Sequence, residues 1–367
     1  MRPLLLSLLL ALAAYANAAT PAPIHSLLMR ILPHNGDANK FDCEIIDNAA
    51  KTDYFTISPD GAKLRVVANN NNALAVGINW LLQQHAGINI SWNNMTGTLP
   101  SKLPAFPAET HKAAVGIRYY LNFCTHSYTM AFWGWERWQQ EIDWMALHGI
   151  NLPLIITGME SVWKNMLQEG YGYQGLEGVN KFVTGAAYYG WFFMNNMTAW
   201  GGPQPERWYA ERETLAKQIF MRLAELNITP LIPGYVGMVP EDFLHYAACD
   251  SVKMWQAADI VNGGCWNAFT RPYFVNNTER LEEMATKYYA AIDRIYGKVL
   301  STHYYAIDPF HEGGVPSGVT NAEASVKSMW NALQAYDPEA IWVAQHWQHN
   351  PTTLVTHHIP VERLLNL

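Results

Sequence analysis

Basic runs are missing from this sequence. Its 367 residues hold 24 Lys and Arg against 31 Asp and Glu, a formal charge of −7, with charged residues at only 15%. A nucleic-acid phosphate backbone is therefore a poor partner for it. Long apolar runs are also lacking: the stretch Leu4 to Ala14 is too short to cross a bilayer, and no later run is long enough, so no membrane span is expected. Cysteine is scarce, with Cys43, Cys124, Cys249 and Cys265 forming neither a CxxC pair nor a His/Cys cluster of zinc type. No GxGxxG follows the first strand-helix step, which argues against a dinucleotide fold.

What the sequence does hold is apolar and aromatic. Half of it is hydrophobic, with 15 Trp and 19 Tyr, the composition of a well-buried globular enzyme. Most of those rings belong to a core. A few can serve a sugar, because the C–H face of a pyranose packs on an aromatic ring. The N-terminus, with Arg2, the Leu4 to Ala14 core and Ala16-Asn17-Ala18, has the layout of a secretory signal peptide over residues 1–18. It predicts export to a periplasmic, secreted or lysosome-like compartment, where Cys249 and Cys265 are the most plausible disulfide pair on separation.

Residues 19–110 read as a small α+β domain and linker. Strands are expected at Phe41 to Ile46, Tyr54 to Ile57 and Lys63 to Ala68, with a turn at Ser58 to Gly61. A helix through Leu74, Ile78, Leu81 and His85 follows, and the Pro-rich stretch from Asn93 to Thr110 is a connector. Beyond it, over residues 111–367, strand alternates with helix. Strands are expected at Ile117 to Cys124, Ile150 to Ile156, Ile228 to Tyr235, Tyr304 to Phe310 and Ala340 to Trp347, and a sixth begins at Arg363. Thr320 to Glu323 reads as a capping box for the last helix. Long loops after the second and third strands favour a (β/α)8 TIM-type barrel over an open sheet, one that this chain leaves incomplete, so it reads as a fragment of a longer protein.

Chemistry concentrates at Tyr304 to Gly314, where a strand runs into Asp308-Pro-Phe-His-Glu312 and two glycines. Glu312 at a barrel strand's C-terminal end reads as a catalytic acid. It reads equally as a loop carboxylate that caps a helix or pairs with a neighbour.

Four strings resemble the alpha-N-acetylglucosaminidases, glycoside hydrolase family 89. They are Arg118-Tyr-Tyr-Leu-Asn-Phe-Cys-Thr-His-Ser-Tyr128, Trp135 to Asn151, Thr184-Gly-Ala-Ala-Tyr-Tyr-Gly-Trp191 and Asp308-Pro-Phe-His-Glu-Gly-Gly314. The resemblance implies a small α+β domain, a catalytic (β/α)8 barrel and an all-helical third domain that this chain lacks. It implies removal of terminal alpha-linked N-acetylglucosamine from glycans by a retaining mechanism, in which two carboxylates act as acid/base and nucleophile. Carbohydrate is then the partner, and two carboxylates suffice without a metal or organic cofactor. By motif position Glu312 is the acid/base and His311 a residue that tunes or orients it. The family's nucleophile falls beyond Leu367, so none is assigned. Asn122, Cys124, Trp191 and Trp347 are implied substrate contacts, Cys124 as a pocket thiol and not a disulfide partner. Glu160 is a further pocket candidate that reads equally as a helix cap. Two rival readings are a barrel that binds sugar without turnover and a beta-hexosaminidase-like enzyme. The second normally shows an Asp-Glu pair where His311 precedes Glu312. The sequence sets no oligomeric state.

Overall fold

The computed structural model describes residues 20–173, 185–193, 204–240, 243–244, 255–262, 273–310 and 318–344. They fall into two units. One takes in the chain up to Arg118 together with Gln139–Asn151 and Arg222–Ile228, and the other takes in the remainder.

The first unit opens with α1 (Ala22–Ile31), whose Ile24, Leu27, Leu28 and Ile31 recur at helical spacing and are buried. Strands β1 (Phe41–Ile45), β2 (Tyr54–Asp60) and β3 (Lys63–Ala68) follow. Alternation on β3 buries Leu64, Val66 and Ala68, which turns one face of the sheet to the core. The turn is tighter than expected: Asp60 pairs with Lys63, and Gly61 takes a φ of +61° that a side chain would resist. Helix α2 (Asn71–Gln84) starts where the Asn70 side chain accepts from the Ala73 N–H at 2.8 Å. It lies close on the sheet because position 77 is glycine; a Cβ there would stand 2.8 Å from Val66 Cγ1. The connector contains β4 (Glu109–Lys112), which pairs antiparallel with β2 and completes the order β1-β3-β2-β4. Its burial alternates only weakly, so its sequence carries little strand signal.

A buried ion network ties this unit together. Asp143 is 1% exposed and receives Arg30 through Nε at 2.5 Å and a second nitrogen at 2.9 Å, and Arg222 at 3.0 Å. Arg118 does similar work, bonding the Asp53 carboxylate, the Gly149 carbonyl and, through its N–H, Asn151 Oδ1 at 2.8 Å.

The second unit is built on parallel strands. β5 (Tyr119–Tyr120) is followed by a helical turn α3 (Phe123–Thr125) that continues as a π-turn (His126–Met130), then by the start of α4 (Trp135–Leu147), whose residues from Gln139 on belong to the first unit. β6 (Leu152–Pro153) leads to α5 (Met159–Tyr171), α6 (Tyr189–Phe192) and α7 (Glu206–Glu225), and β7 (Ile232–Pro233) comes next. Within the excursion after β7 a small antiparallel sheet, β8 (Met238–Val239), β9 (Ile260–Asn262) and β10 (Tyr273–Val275), was not legible in the sequence because its strands are so short. Helix α8 (Thr278–Tyr296), β11 (Tyr304–Ala306), α9 (Ala322–Tyr336) and β12 (Ile341–Val343) complete the described chain.

β5 pairs parallel with β6, a Leu154–Leu231 parallel bridge joins the β6 segment to that of β7, β7 pairs with β11, and β11 with β12. Neighbours in sequence are neighbours in the sheet, the order of a (β/α)8 barrel, here incomplete and preceded by the small α+β unit. Leu152, Leu154, Ile155, Ile232, Tyr305 and Ile307 are all buried, as parallel strands covered on both faces require.

The strands are shorter than the sequence suggested. Ile117 to Cys124 pairs only at Tyr119–Tyr120, because Leu121 turns at φ +73° and Asn122 caps a helix instead of extending the strand. In the β7 segment Pro230 and Pro233 have no N–H to give a ladder. Helix α9 is capped one residue later than expected: the Asn321 side chain, not Thr320, accepts from the Ala324 N–H at 3.0 Å. The start of a sixth strand at Arg363 lies outside the described residues. Among the described residues no helix is long and apolar enough to cross a membrane.

Candidate active site

The site is built at the C-terminal end of β5. Asn122 stands exposed there, and its Oδ1 accepts from the Thr125 N–H at 3.0 Å and the Thr125 hydroxyl at 2.9 Å. The acceptor half of the amide is thus committed to the helix cap, and the NH2 is the half left for a ligand. Capping fixes α3 and with it Cys124.

Across from α3 lies α6. The Trp191 indole N–H donates to the Cys124 sulfur at 3.2 Å, so two residues far apart in sequence meet. Tyr128 meets Trp191 edge-on at 5.3 Å between ring centroids, and Tyr188 lies at 5.4 Å. Tyr128 is 72% exposed, which leaves an aromatic rim open to solvent beside Asn122 and Cys124. Both tyrosines sit inside the strings that carry the family resemblance, yet neither was singled out, since contact with Trp191 depends on how two helical turns face each other. Gly190 permits that contact: a Cβ there would come within 2.4 Å of the Phe123 carbonyl and 2.6 Å of Ser127 Oγ. Phe193 locks the other side, stacked on Phe123 at 5.7 Å.

Glu160 occupies a different place. It is 3% exposed, in the first turn of α5, and accepts from the Gly158 N–H at 2.7 Å. Burial pushes its carboxyl up to about 7, against the pull of hydrogen bonds from its own N–H and that of Gly158, the Arg212 charge and the Trp208 indole. His126, also buried, is held down to about 4 by desolvation and then by Arg212, and so is neutral.

At the end of β11, Asp308 is buried, and beside it the hydroxyl of Tyr119 is pushed up to about 12, first by desolvation and then by the Asp308 charge. Phe310 takes φ +61°, a conformation that costs a residue with a Cβ and is tolerated where neighbours hold it, here Phe274 at 5.8 Å between centroids. Leu121, directly after β5 and ahead of Asn122, and Phe310, a few residues past β11 and two ahead of Glu312, are both left-handed. Glu312, His311 and Trp347 themselves lie outside the described residues, as do Cys249 and Cys265. Among the described residues no group of three or more His, Cys, Asp or Glu could hold a metal ion.

Residues 118–366 match the model of the alpha-N-acetylglucosaminidase tim-barrel domain, and residues 22–105 that of the same family's N-terminal domain. The chain belongs to the alpha-N-acetylglucosaminidase family. Human alpha-N-acetylglucosaminidase is 31% identical over 352 residues, which span 92% of this chain and 46% of that protein. CpGH89 from Clostridium perfringens, solved with its substrate GlcNAc-alpha-1,4-galactose, superposes with a TM-score of 0.80 at 33% identity, covering 93% of this chain and 38% of that one. The family 89 glycoside hydrolase of the same organism solved with PUGNAc gives 0.80 at 34%, with the same coverage. The chain therefore spans less than half the length of these relatives.

Proposed function

We propose that this protein is a retaining exo-glycosidase that removes terminal alpha-linked N-acetylglucosamine from glycans. Family membership over residues 118–366 supports this most directly. The names of the relatives agree: one is an alpha-N-acetylglucosaminidase, and another was solved with GlcNAc-alpha-1,4-galactose as its substrate. The rim of Asn122, Cys124, Tyr128 and Trp191 offers what such a sugar needs, an amide donor for a hydroxyl and aromatic surface for the ring or the N-acetyl methyl group.

In this reading Glu312 is the acid/base. It gives its proton to the leaving oxygen as the glycosidic bond breaks, then takes a proton from the water that releases the sugar. The carboxylate that forms the glycosyl-enzyme is not assigned to any residue of this chain. His311 orients Glu312, and Trp347 walls the pocket. The signal sequence at 1–18 is removed on export, a step that N-terminal sequencing of the exported protein checks.

The deciding experiment incubates the intact protein with GlcNAc-alpha-1,4-galactose and follows the released sugar by NMR. Release of the alpha anomer first, abolished by Glu312→Gln, is the expected result. Binding of the disaccharide without release would replace the glycosidase with a sugar-binding protein.

A further inference from the structure

Glu160 is a buried acid that the proposed chemistry leaves without a task. It lines a cavity of about 10 Å3 together with His126, Tyr189, Trp208 and Arg212, among others. That volume has room for about one water molecule and none for a sugar ring. Those four side chains come from the π-turn after α3, helix α6, and helix α7. The first two are continuous with Cys124 and contain Trp191, and they are locked to each other through Gly190 and Phe123. A shift of His126 or Tyr189, whose rings are 6.0 Å apart, moves the rim of the sugar pocket with it.

The backbone that carries the carboxylate is tightly packed at Gly158. Gly158, whose N–H it accepts, has a φ of +93°. Its carbonyl accepts from the Tyr296 hydroxyl at 2.7 Å, and a Cβ on it would stand 2.5 Å from Ala216 Cβ. Glu160 is thus bonded to its own turn through Gly158, and it shares its cavity with His126 and Tyr189 of the segments that carry the pocket.

We propose that Glu160 is a positioning residue: from beneath the sugar pocket it sets the placement of the π-turn and α6, and through them Cys124 and Trp191, without touching the sugar. The pocket in this statement is the one read above as the N-acetylglucosamine site.

Its protonation state then matters to the placement. The groups that face it are Arg212 and Tyr209 from α7, His126 from the π-turn, Tyr189 from α6 and Tyr296 from α8. The tyrosines stay neutral, their hydroxyls raised by burial, and His126 is neutral as well, so among the described residues Arg212 is the cation that Glu160 meets. Opening the π-turn and α6 would let water reach Glu160 and return it from about 7 to its ordinary 4.5. The closed arrangement therefore binds the proton better, and closure weakens as pH rises from 4.5 to about 7 and levels off above.

Hydrogen exchange read by mass spectrometry on peptides covering residues 122–130 and 185–193 tests this, with rates corrected for intrinsic chemistry at each pH. In the wild-type protein protection of both segments should fall on the order of a hundredfold across that window. Glu160→Gln, which keeps an acceptor for Gly158, should flatten the profile and bind N-acetylglucosamine as the wild type does at pH 4.5. Glu160→Ala should unprotect both segments, leave 71–84 unchanged and weaken N-acetylglucosamine binding by about tenfold. Should that variant not fold, the wild-type and Glu160→Gln profiles decide alone. A flat wild-type profile overturns the proposal, as does loss of N-acetylglucosamine binding in Glu160→Gln with both segments still protected, which would mean direct contact with the sugar. If no form binds N-acetylglucosamine but the exchange profiles behave as stated, the sugar reading fails and the placement by Glu160 stands.

Discussion

The Trp191 indole N–H donates to the sulfur of Cys124 across 3.2 Å, and so a helix after the second barrel strand is fastened to the turn that ends the first. The bond fixes the indole plane while Tyr128 and Tyr188 hold its edges. Trp191→Phe removes the donor and keeps a ring, whereas Trp191→Ala removes the wall of the pocket. Trp191→Ala should raise KM for GlcNAc-alpha-1,4-galactose about tenfold or more, roughly 1.4 kcal/mol of binding, with kcat much less changed, and Trp191→Phe should fall between. Steady-state kinetics check it; a fall in kcat at unchanged KM would give Trp191 a part in the chemical step.

Glu312→Gln should depend on the leaving group. A natural disaccharide needs its leaving oxygen protonated and should lose about a hundredfold or more in rate, while an activated aryl glycoside should form glycosyl-enzyme and stall there. Azide needs no general base and should restore turnover of the aryl substrate. Near-normal hydrolysis of the disaccharide by Glu312→Gln would return Glu312 to the loop carboxylate that its sequence context also allows.

Asp143→Asn should destabilise the first unit. The carboxylate is buried between Arg30 and Arg222, and its neutralisation leaves Arg222, 5% exposed, without its buried counter-charge. A loss of about 3 kcal/mol is expected, seen as a lower urea midpoint. Lys217→Ala, which removes only a partly exposed i,i+4 pair with Glu213, should change stability by less than about 0.5 kcal/mol.

Stability should also depend on Glu160. Its folded value, about 7, lies above its ordinary 4.5, so the folded protein holds the proton more tightly than the unfolded one. Its favourable contribution is complete below pH 4.5 and is lost as pH rises through about 7. The melting temperature of Glu160→Gln should gain on that of the wild type across this window. A constant difference between the two melting curves from pH 4.5 to 8 would show that the carboxyl is not raised.

Activity should survive chelation, because two carboxylates are enough for a retaining glycosidase. Rates measured after dialysis against a chelator should equal those before it; activity lost and restored by a divalent cation would require a metal in the mechanism.

The alternation of strand and helix beyond residue 110 was legible because periodicity is a local property. Trp138, Ile142 and Met145 on α4, or Leu281, Met284, Tyr288 and Ile292 on α8, announce a buried helix face whatever the helix packs against. The order of the parallel strands followed from the same alternation. Strand β4 and the β8-β10-β9 sheet left no such trace, since strands of two to four residues are too short to show a period.

Strings such as Arg118 to Tyr128 are enough to mark the family, and they bring Asn122, Cys124 and, with Thr184 to Trp191, Trp191 forward together. What each does locally came from the packed chain: Asn122 spends its oxygen on a helix cap, Cys124 meets Trp191, and Glu160 lines a cavity of about 10 Å3, large enough for about one water. The reason is physical. Composition and motif say which groups are present, whereas burial, hydrogen-bond partners and the direction of a side chain arise when segments distant in sequence pack, and at Leu121 and Gly190 a single backbone turn or a missing Cβ settles that packing.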